Sequence, residues 1–355
     1  MKKIEGIRKQ LDELGMDCIL ITTQENVRYL TNFTGSSGAV LISNSEAKFL
    51  TDFRYAKQSH EQISGYEIQV TSDSKLFFQS IVDQVDTMNV KKLGFESSYV
   101  THKTFVDLKE RLSIELIPTT NVVEKMRAIK SESEIDLIRN AAVISDRAFE
   151  RIMDFIRPGL TEREVANELE YEMRKEGATS SGFDMIIASG YRAALPHGLA
   201  SDKIIENGDM ITFDFGALYE GYRSDMTRTI SLGEPEQKFK EIYKIVLDSL
   251  LLCEKQIKAG MPAKQVDAIV RDYITDKGYG EYFGHGTGHG IGLMIHEDPF
   301  FSKTSNQVLK TGMVVTIEPG IYLPDFGGVR IEDDVVIKNK GIEILTKSPK
   351  ELIIL

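Results

Sequence analysis

The chain has 355 residues, 41% of them hydrophobic and 27% charged, which is long enough for two domains that each bury a core. Its 54 acidic residues against 43 basic ones leave a net charge of −11, so a nucleic-acid partner is disfavoured, because phosphate binding relies on a basic face. The two cysteines, Cys18 and Cys253, are far apart and in no ligand-like spacing, which argues against a disulfide scaffold or a thiolate zinc site.

The opening residues, Met1-Lys2-Lys3-Ile4-Glu5-Gly6-Ile7-Arg8, contain no unbroken apolar run. No stretch of roughly 18 apolar residues follows anywhere. The expectation is a cytoplasmic protein in a reducing compartment, with no membrane partner. Short apolar runs at 17–22, 39–43, 48–51 and 66–71 predict strands, and 4–14 and 76–85 carry helical spacing between them. This alternation predicts an α/β domain over residues 1–124. The boundary lies near residues 118–130, where Pro118-Thr119-Thr120-Asn121 is followed by the charged stretch Glu124 to Lys130, and a second domain is expected over 125–355. Ser131 and Glu134 form a capping-box signature. Behind it Ile135, Ile138, Ala142, Phe149, Ile152 and Ile156 keep one apolar face, predicting a long opening helix.

The second domain contains an internal repeat. Ile156-Arg157-Pro158-Gly159-Leu160 ends one helix and precedes another at Thr161; Ile257-Lys258-Ala259-Gly260-Met261 does the same before a helix around 266–274. The copies lie about a hundred residues apart, too long for a solenoid period. Each then reaches an apolar strand, at 208–214 and at 312–318. The expected architecture is α+β, two halves related by a pseudo-twofold with a ligand site on their shared surface.

Polar residues fall at matching places in the two halves. Asp214 and Asp225 flank the turn signal Tyr219-Glu220-Gly221, and Glu318 and Glu332 flank Pro324-Asp325-Phe326-Gly327-Gly328. Each half is thus predicted to offer a hairpin with two facing carboxylates, Asp214 opposite Asp225 and Glu318 opposite Glu332. Like charges opposed on buried strands are unfavourable, and four converging would be prohibitive without compensation. Divalent cations supply it: four hard oxygen ligands suffice to hold two ions about 3.5–4 Å apart.

Histidine usage points to the same place. His60 and His102 lie in surface-like contexts of the first domain, whereas His197, His285, His289 and His296 are concentrated in the repeat. The run Gly284-His285-Gly286-Thr287-Gly288-His289-Gly290 is too glycine-rich for a helical His-pair zinc motif. In an extended segment His285 and His289 share one face, and the glycines allow close approach to a ligand. His197 and His296 stand in matching positions of the two copies. No P-loop and no Gly-x-Ser-x-Gly elbow is present.

Taken together, Leu195-Pro196-His197-Gly198, Asp214-Phe215-Gly216, Ser224-Asp225-Met226-Thr227-Arg228-Thr229, Gly286-Thr287-Gly288-His289-Gly290-Ile291-Gly292, Thr316-Ile317-Glu318-Pro319-Gly320 and Gly328-Val329-Arg330-Ile331-Glu332-Asp333 resemble the motifs of the pita-bread metallopeptidases, specifically aminopeptidase P and Xaa-Pro dipeptidase (prolidase). Asn26-Val27-Arg28-Tyr29-Leu30 and Thr51-Asp52-Phe53-Arg54-Tyr55 are similar to the creatinase-type domain that precedes the catalytic one. The resemblance implies metal ligands Asp214, Asp225, His289, Glu318 and Glu332, with Asp225 and Glu332 bridging two divalent ions, usually manganese, with cobalt or zinc as substitutes. It implies Glu318 as proton acceptor, His197 and His296 against the scissile carbonyl, and His285 and Arg330 in the substrate pocket, Arg330 also pairing with carboxylates. The implied reaction is hydrolysis of the bond between an N-terminal residue and proline in small peptides, by a homodimer. A methionine-aminopeptidase-like exopeptidase and a non-catalytic binding protein of the same fold are the alternatives. Dipeptidase and aminopeptidase are not distinguished.

Overall fold

In the computed structural model, which describes residues 2–355, the chain divides into two compact units; the first ends at Arg127 and the second spans Ala128–Leu355. The first unit runs α1 (Lys2–Leu14), β1 (Cys18–Ile21), α2 (Gln24–Thr31), β2 (Ala39–Ser43), β3 (Ala47–Asp52), α3 (Ala56–Gln62), β4 (Glu67–Thr71), α4 (Phe77–Thr87), β5 (Lys92–Glu96), α5 (His102–Arg111), β6 (Glu115–Thr119) and α6 (Val122–Arg127). Its strands form one mixed sheet in the order β4-β3-β2-β1-β5-β6. β1 and β2 are buried at every residue, as continuous apolar runs covered on both faces should be. The four strands expected from the sequence are present. β5 and β6 carry a glycine and a proline, which weakens their strand pattern; Pro118 is tolerated because β6 is an edge strand.

The second unit opens with α7 (Glu132–Phe155) and α8 (Glu162–Lys175), and both begin with complete capping boxes, Ser131 with Glu134 and Thr161 with Glu164. β7 (Ser180–Ser181), β8 (Ile186–Ser189), β9 (Met210–Phe215), β10 (Ala217–Tyr219), β11 (Tyr222–Arg223) and β12 (Met226–Ser231) complete the first half. The second half contains α9 (Gln237–Gln256), α10 (Ala263–Asp276), β13 (Gly288–Gly290), β14 (Glu297–Phe301), β15 (Val314–Ile317), β16 (Gly320–Leu323), β17 (Gly327–Arg330), β18 (Asp333–Ile337) and β19 (Ile342–Ile344). Sheets β12-β9-β8 and β14-β13-β15-β18-β19 form the floors of the two halves. Phe149, Ile152 and Leu169 of α7 and α8 share a core with Phe213, Phe215 and Ile230. Val246, Leu250 and Val270 of α9 and α10 do the same with Val315, Val329 and Val335.

The repeat is visible in hydrogen bonds. α7 and α9 both end on an isoleucine in extended conformation, Ile156 and Ile257. The following glycines, Gly159 and Gly260, both take positive φ (94° and 90°) and donate to Ile205 and Leu309 respectively. Thr161 bridges Ile204 as Pro262 bridges Val308.

One expected register is corrected. β9 and β12 pair with Asp214 opposite Thr227, not opposite Asp225. The cause is a two-residue turn in which Glu220 and Gly221 both adopt positive φ, 46° and 80°, the geometry of a type I′ hairpin. The turn lies one residue further along than the composition suggested. Asp225 is consequently the diagonal neighbour of Asp214 and stays on the same face. The second hairpin keeps its expected register: Gly320 pairs Arg330 and Ile317 pairs Asp333, so Glu318 and Glu332 fall opposite one another between the two paired stretches. No helix among the described residues is long and apolar enough to cross a membrane.

Candidate metal centre

The two hairpins meet along β12. Its Thr227 accepts the Glu332 N–H at 3.0 Å, Asp225 N–H donates to Asp334 Oδ2 at 2.8 Å, and the Thr229 hydroxyl lies 2.9 Å from the Arg330 carbonyl and 3.2 Å from its N–H. The Thr227 hydroxyl donates to Glu332 Oε2 at 2.6 Å. This seam brings the acids of both halves to one cavity of about 550 Å³, within the usual range for small-ligand sites.

All nine residues expected to form the site line that cavity: Asp214, Asp225, Glu318, Glu332 and Arg330, with His197, His285, His289 and His296 around them. His60 and His102 are exposed, as ordinary surface histidines are. Asp225, His289 and Glu332 are drawn together most tightly, each offering a ligand atom within 4.8 Å of the others. Glu318 Oε1 lies 3.5 Å from His289 Nε2 and Asp225 Oδ2 lies 3.7 Å from it. Asp214 stands slightly apart, accepting from Arg330 Nη2 at 2.5 Å.

The donor set fits a cation. His289 Nδ1 faces its acceptor, the Gly290 carbonyl, at 3.0 Å, so it carries the proton and the Nε2 lone pair is turned toward the carboxylates. Burial holds this imidazole down to about 4, so it is neutral. A lone pair aimed at carboxylate oxygens is repulsive unless a cation or a proton stands between them. Asp225 Oδ1 is buried without a hydrogen-bond partner. Burial, reinforced by Glu332 and Asp214, pushes the Asp225 carboxyl well above the ordinary range. Burial likewise raises Glu318 to about 8 and lifts Glu332 well above its ordinary value, with neighbouring acids adding to the shift. Neutral imidazole with hard oxygen donors suits a divalent ion.

Backbone constraints explain why the acids can crowd. Gly216 lies between Asp214 and the β10 strand, and a Cβ there would come within 1.8 Å of the Ser224 carbonyl. Beside Asp214, Arg330 also donates to Tyr322 Oη at 2.7 Å and Thr227 Oγ1 at 3.1 Å. His285 Nδ1 donates to the Gly286 carbonyl at 2.8 Å, so its Nε2 accepts from the Tyr322 hydroxyl, also at 2.8 Å. Burial keeps His285 neutral, at about 4.

Several of these partners escaped the sequence reading. Tyr322 is one; its signal was available in Gly320 and Gly328, whose missing side chains make room for its ring. Thr227 and Asp334 are others, and so is the buried pair Lys130–Glu297, at 3.1 Å. Glu297 also accepts the Met294 N–H at 3.0 Å and so holds the loop that carries His296. His289 and His296 stack edge to face, 4.5 Å between ring centroids.

Comparison with known proteins bears on this site. Residues 136–339 match the model of metallopeptidase family M24, and residues 3–129 match the creatinase/prolidase N-terminal domain. The chain is similar to a Xaa-Pro dipeptidase of Pyrococcus horikoshii, 41% identical over 99% of both chains. Among solved structures it is similar to a Xaa-Pro dipeptidase from Bacillus anthracis, with TM-score 0.98 and 55% identity, covering 100% of this chain and 99% of that one. It is also similar to an X-Pro aminopeptidase from Thermotoga maritima, with TM-score 0.91 and 41% identity, covering 98% of this chain and 100% of that one.

Proposed function

The chain belongs to metallopeptidase family M24, and from that premise we propose that it is a Xaa-Pro peptidase, hydrolysing the bond between an N-terminal residue and proline. The observation that carries the reading is the convergence of Asp225, His289 and Glu332 within 4.8 Å around a buried, unpartnered carboxylate oxygen. The matched N-terminal domain speaks against the methionine-aminopeptidase alternative.

We assign Asp214, Asp225, His289, Glu318 and Glu332 as the residues that would hold two divalent ions. Manganese suits four carboxylates and one imidazole. When bound, the ions polarise the scissile carbonyl and lower the pKa of water. Glu318, a buried carboxyl 3.5 Å from His289 Nε2, is placed to take up the proton of the attacking water and return it to the proline nitrogen once bound cations hold it ionised. His197 and His296, exposed at the cavity wall, stabilise the developing oxyanion. Arg330 orients Asp214, and His285 borders the substrate pocket. The nitrogen of an Xaa-Pro bond has no hydrogen to donate, so selection for proline rests on shape, supplied here by Phe183, Leu199, Ile295 and Phe300.

A cytoplasmic setting accords with the two buried free thiols, Cys18 and Cys253. A homodimer is the assembly we propose on resemblance, and sedimentation velocity tests it. The activity is tested by loading the protein with manganese and measuring proline release from Ala-Pro; a fully loaded protein that cleaves no Xaa-Pro peptide overturns the reading. A di-, tri- and pentapeptide series separates dipeptidase from aminopeptidase.

A further inference from the structure

Behind the cavity, on the opposite face of β12 from Thr227, sits Arg228, only 1% exposed. All three of its nitrogens are engaged. Nε donates to the carbonyls of Pro349 (3.0 Å) and Ser348 (3.3 Å). Nη1 donates to the carbonyls of Thr227 (2.9 Å) and Glu332. Nη2 donates to Asp333 Oδ1 and to the Ser348 carbonyl, both at 2.8 Å. Asp333 is held in turn by the Thr346 hydroxyl (2.6 Å) and by Lys350 Nζ (2.5 Å), which also reaches Glu254 at 2.6 Å. The 346–350 segment is pinned independently: Asp146 accepts from the Lys347 and Ser348 N–H groups, and the Tyr243 hydroxyl donates to the Lys350 carbonyl at 2.8 Å.

Apart from Glu332, none of these residues lines the cavity. Yet Arg228 grips the main chain of Glu332 at its own carbonyl and, through Asp333, at the next residue. It also grips the carbonyl of Thr227, whose hydroxyl holds the Glu332 carboxylate. A buried ionic arrangement of this kind is a poor source of stability compared with apolar packing, and its use lies in fixed geometry. The guanidinium is suited to this, because its planar fork serves several acceptors at once and an ammonium does not.

We propose that Arg228 is a positioning residue for the metal centre, anchoring Thr227 and Glu332 to the 346–350 segment and thereby setting metal affinity. The inference rests on the metal-centre reading above. Its test is titration of the metal-free protein with manganese, followed calorimetrically, for wild type, Arg228→Lys and Lys350→Met. Arg228→Lys is expected to weaken manganese binding by about 10- to 100-fold, as loss of a ligand-orienting partner does elsewhere. Its kcat recovers at saturating manganese, with KM for Ala-Pro unchanged. Lys350→Met weakens binding in the same direction by loosening Asp333. A folded Arg228→Lys protein with wild-type affinity overturns the proposal; if that variant does not fold, wild-type affinity in Lys350→Met overturns it. Wild-type protein that binds no manganese would instead sink the metal-centre reading itself.

Discussion

The Thr227 hydroxyl donates to Glu332 Oε2 at 2.6 Å and also accepts from Arg330 Nε at 3.1 Å, so one threonine orients a carboxylate and an arginine across the seam between the two halves. Thr227→Val keeps the shape and removes both bonds. The two buried partners are left short, which costs about 1–3 kcal/mol in the metal-free protein, and manganese binding weakens. Denaturant unfolding and calorimetric titration check this; an unchanged dissociation constant would show that Glu332 is held without the hydroxyl.

Asp225→Asn removes one of the charges assigned to hold the ions. Metal content falls and activity drops by more than about 100-fold, beyond the loss expected for an outer partner. Elemental analysis and proline release measure it, and full activity in the variant would refute its role as a ligand.

His296→Ala separates rate from metal. Its ring packs on His289 but is assigned to the oxyanion, so metal content stays near wild type while kcat falls by about 10²–10³. Parallel loss of metal and rate would make His296 a ligand instead.

Gly216→Ala tests the crowding of the first hairpin. The new methyl would lie 1.8 Å from the Ser224 carbonyl, so the backbone between Asp214 and Asp225 must shift. The expected destabilisation exceeds about 2 kcal/mol, with metal lost as well. A variant that melts like wild type would show that the hairpin yields freely.

Acid stability tests the first unit. Hydrogen bonds from the Arg54 side chain, ahead of other causes, draw the buried Asp52 carboxyl down to about 2 from 3.8. A folded pKa below the unfolded one stabilises the fold above pH 3.8, and this contribution disappears as pH falls toward 2. The melting temperature of wild type over Asp52→Asn should therefore narrow from pH 5 to pH 2.5. A gap independent of pH would remove Arg54 from the account.

Much of this was legible in the chain itself. The capping box at Ser131, the helix start at Thr161 and the Asp325 turn depend on local chemistry and appear where expected. The turn at Glu220-Gly221 was misplaced by one residue because a glutamate with φ of 46° leaves no mark in composition. Seen in sequence, Arg228 is an isolated cation in a strand; its role depends on carbonyls of 348 and 349, contacts that no local pattern encodes. Lys130 and Glu297 are likewise partners only in three dimensions.

The seam between β12 and residues 330–334 carries a consequence for biosynthesis. A nascent chain leaving the ribosome has made Asp214 and Asp225 long before His289, Glu318 and Glu332 exist, and closing so long a loop is slow as well as late. The proposed metal centre can therefore assemble only after synthesis has passed Glu332, near the end of the chain.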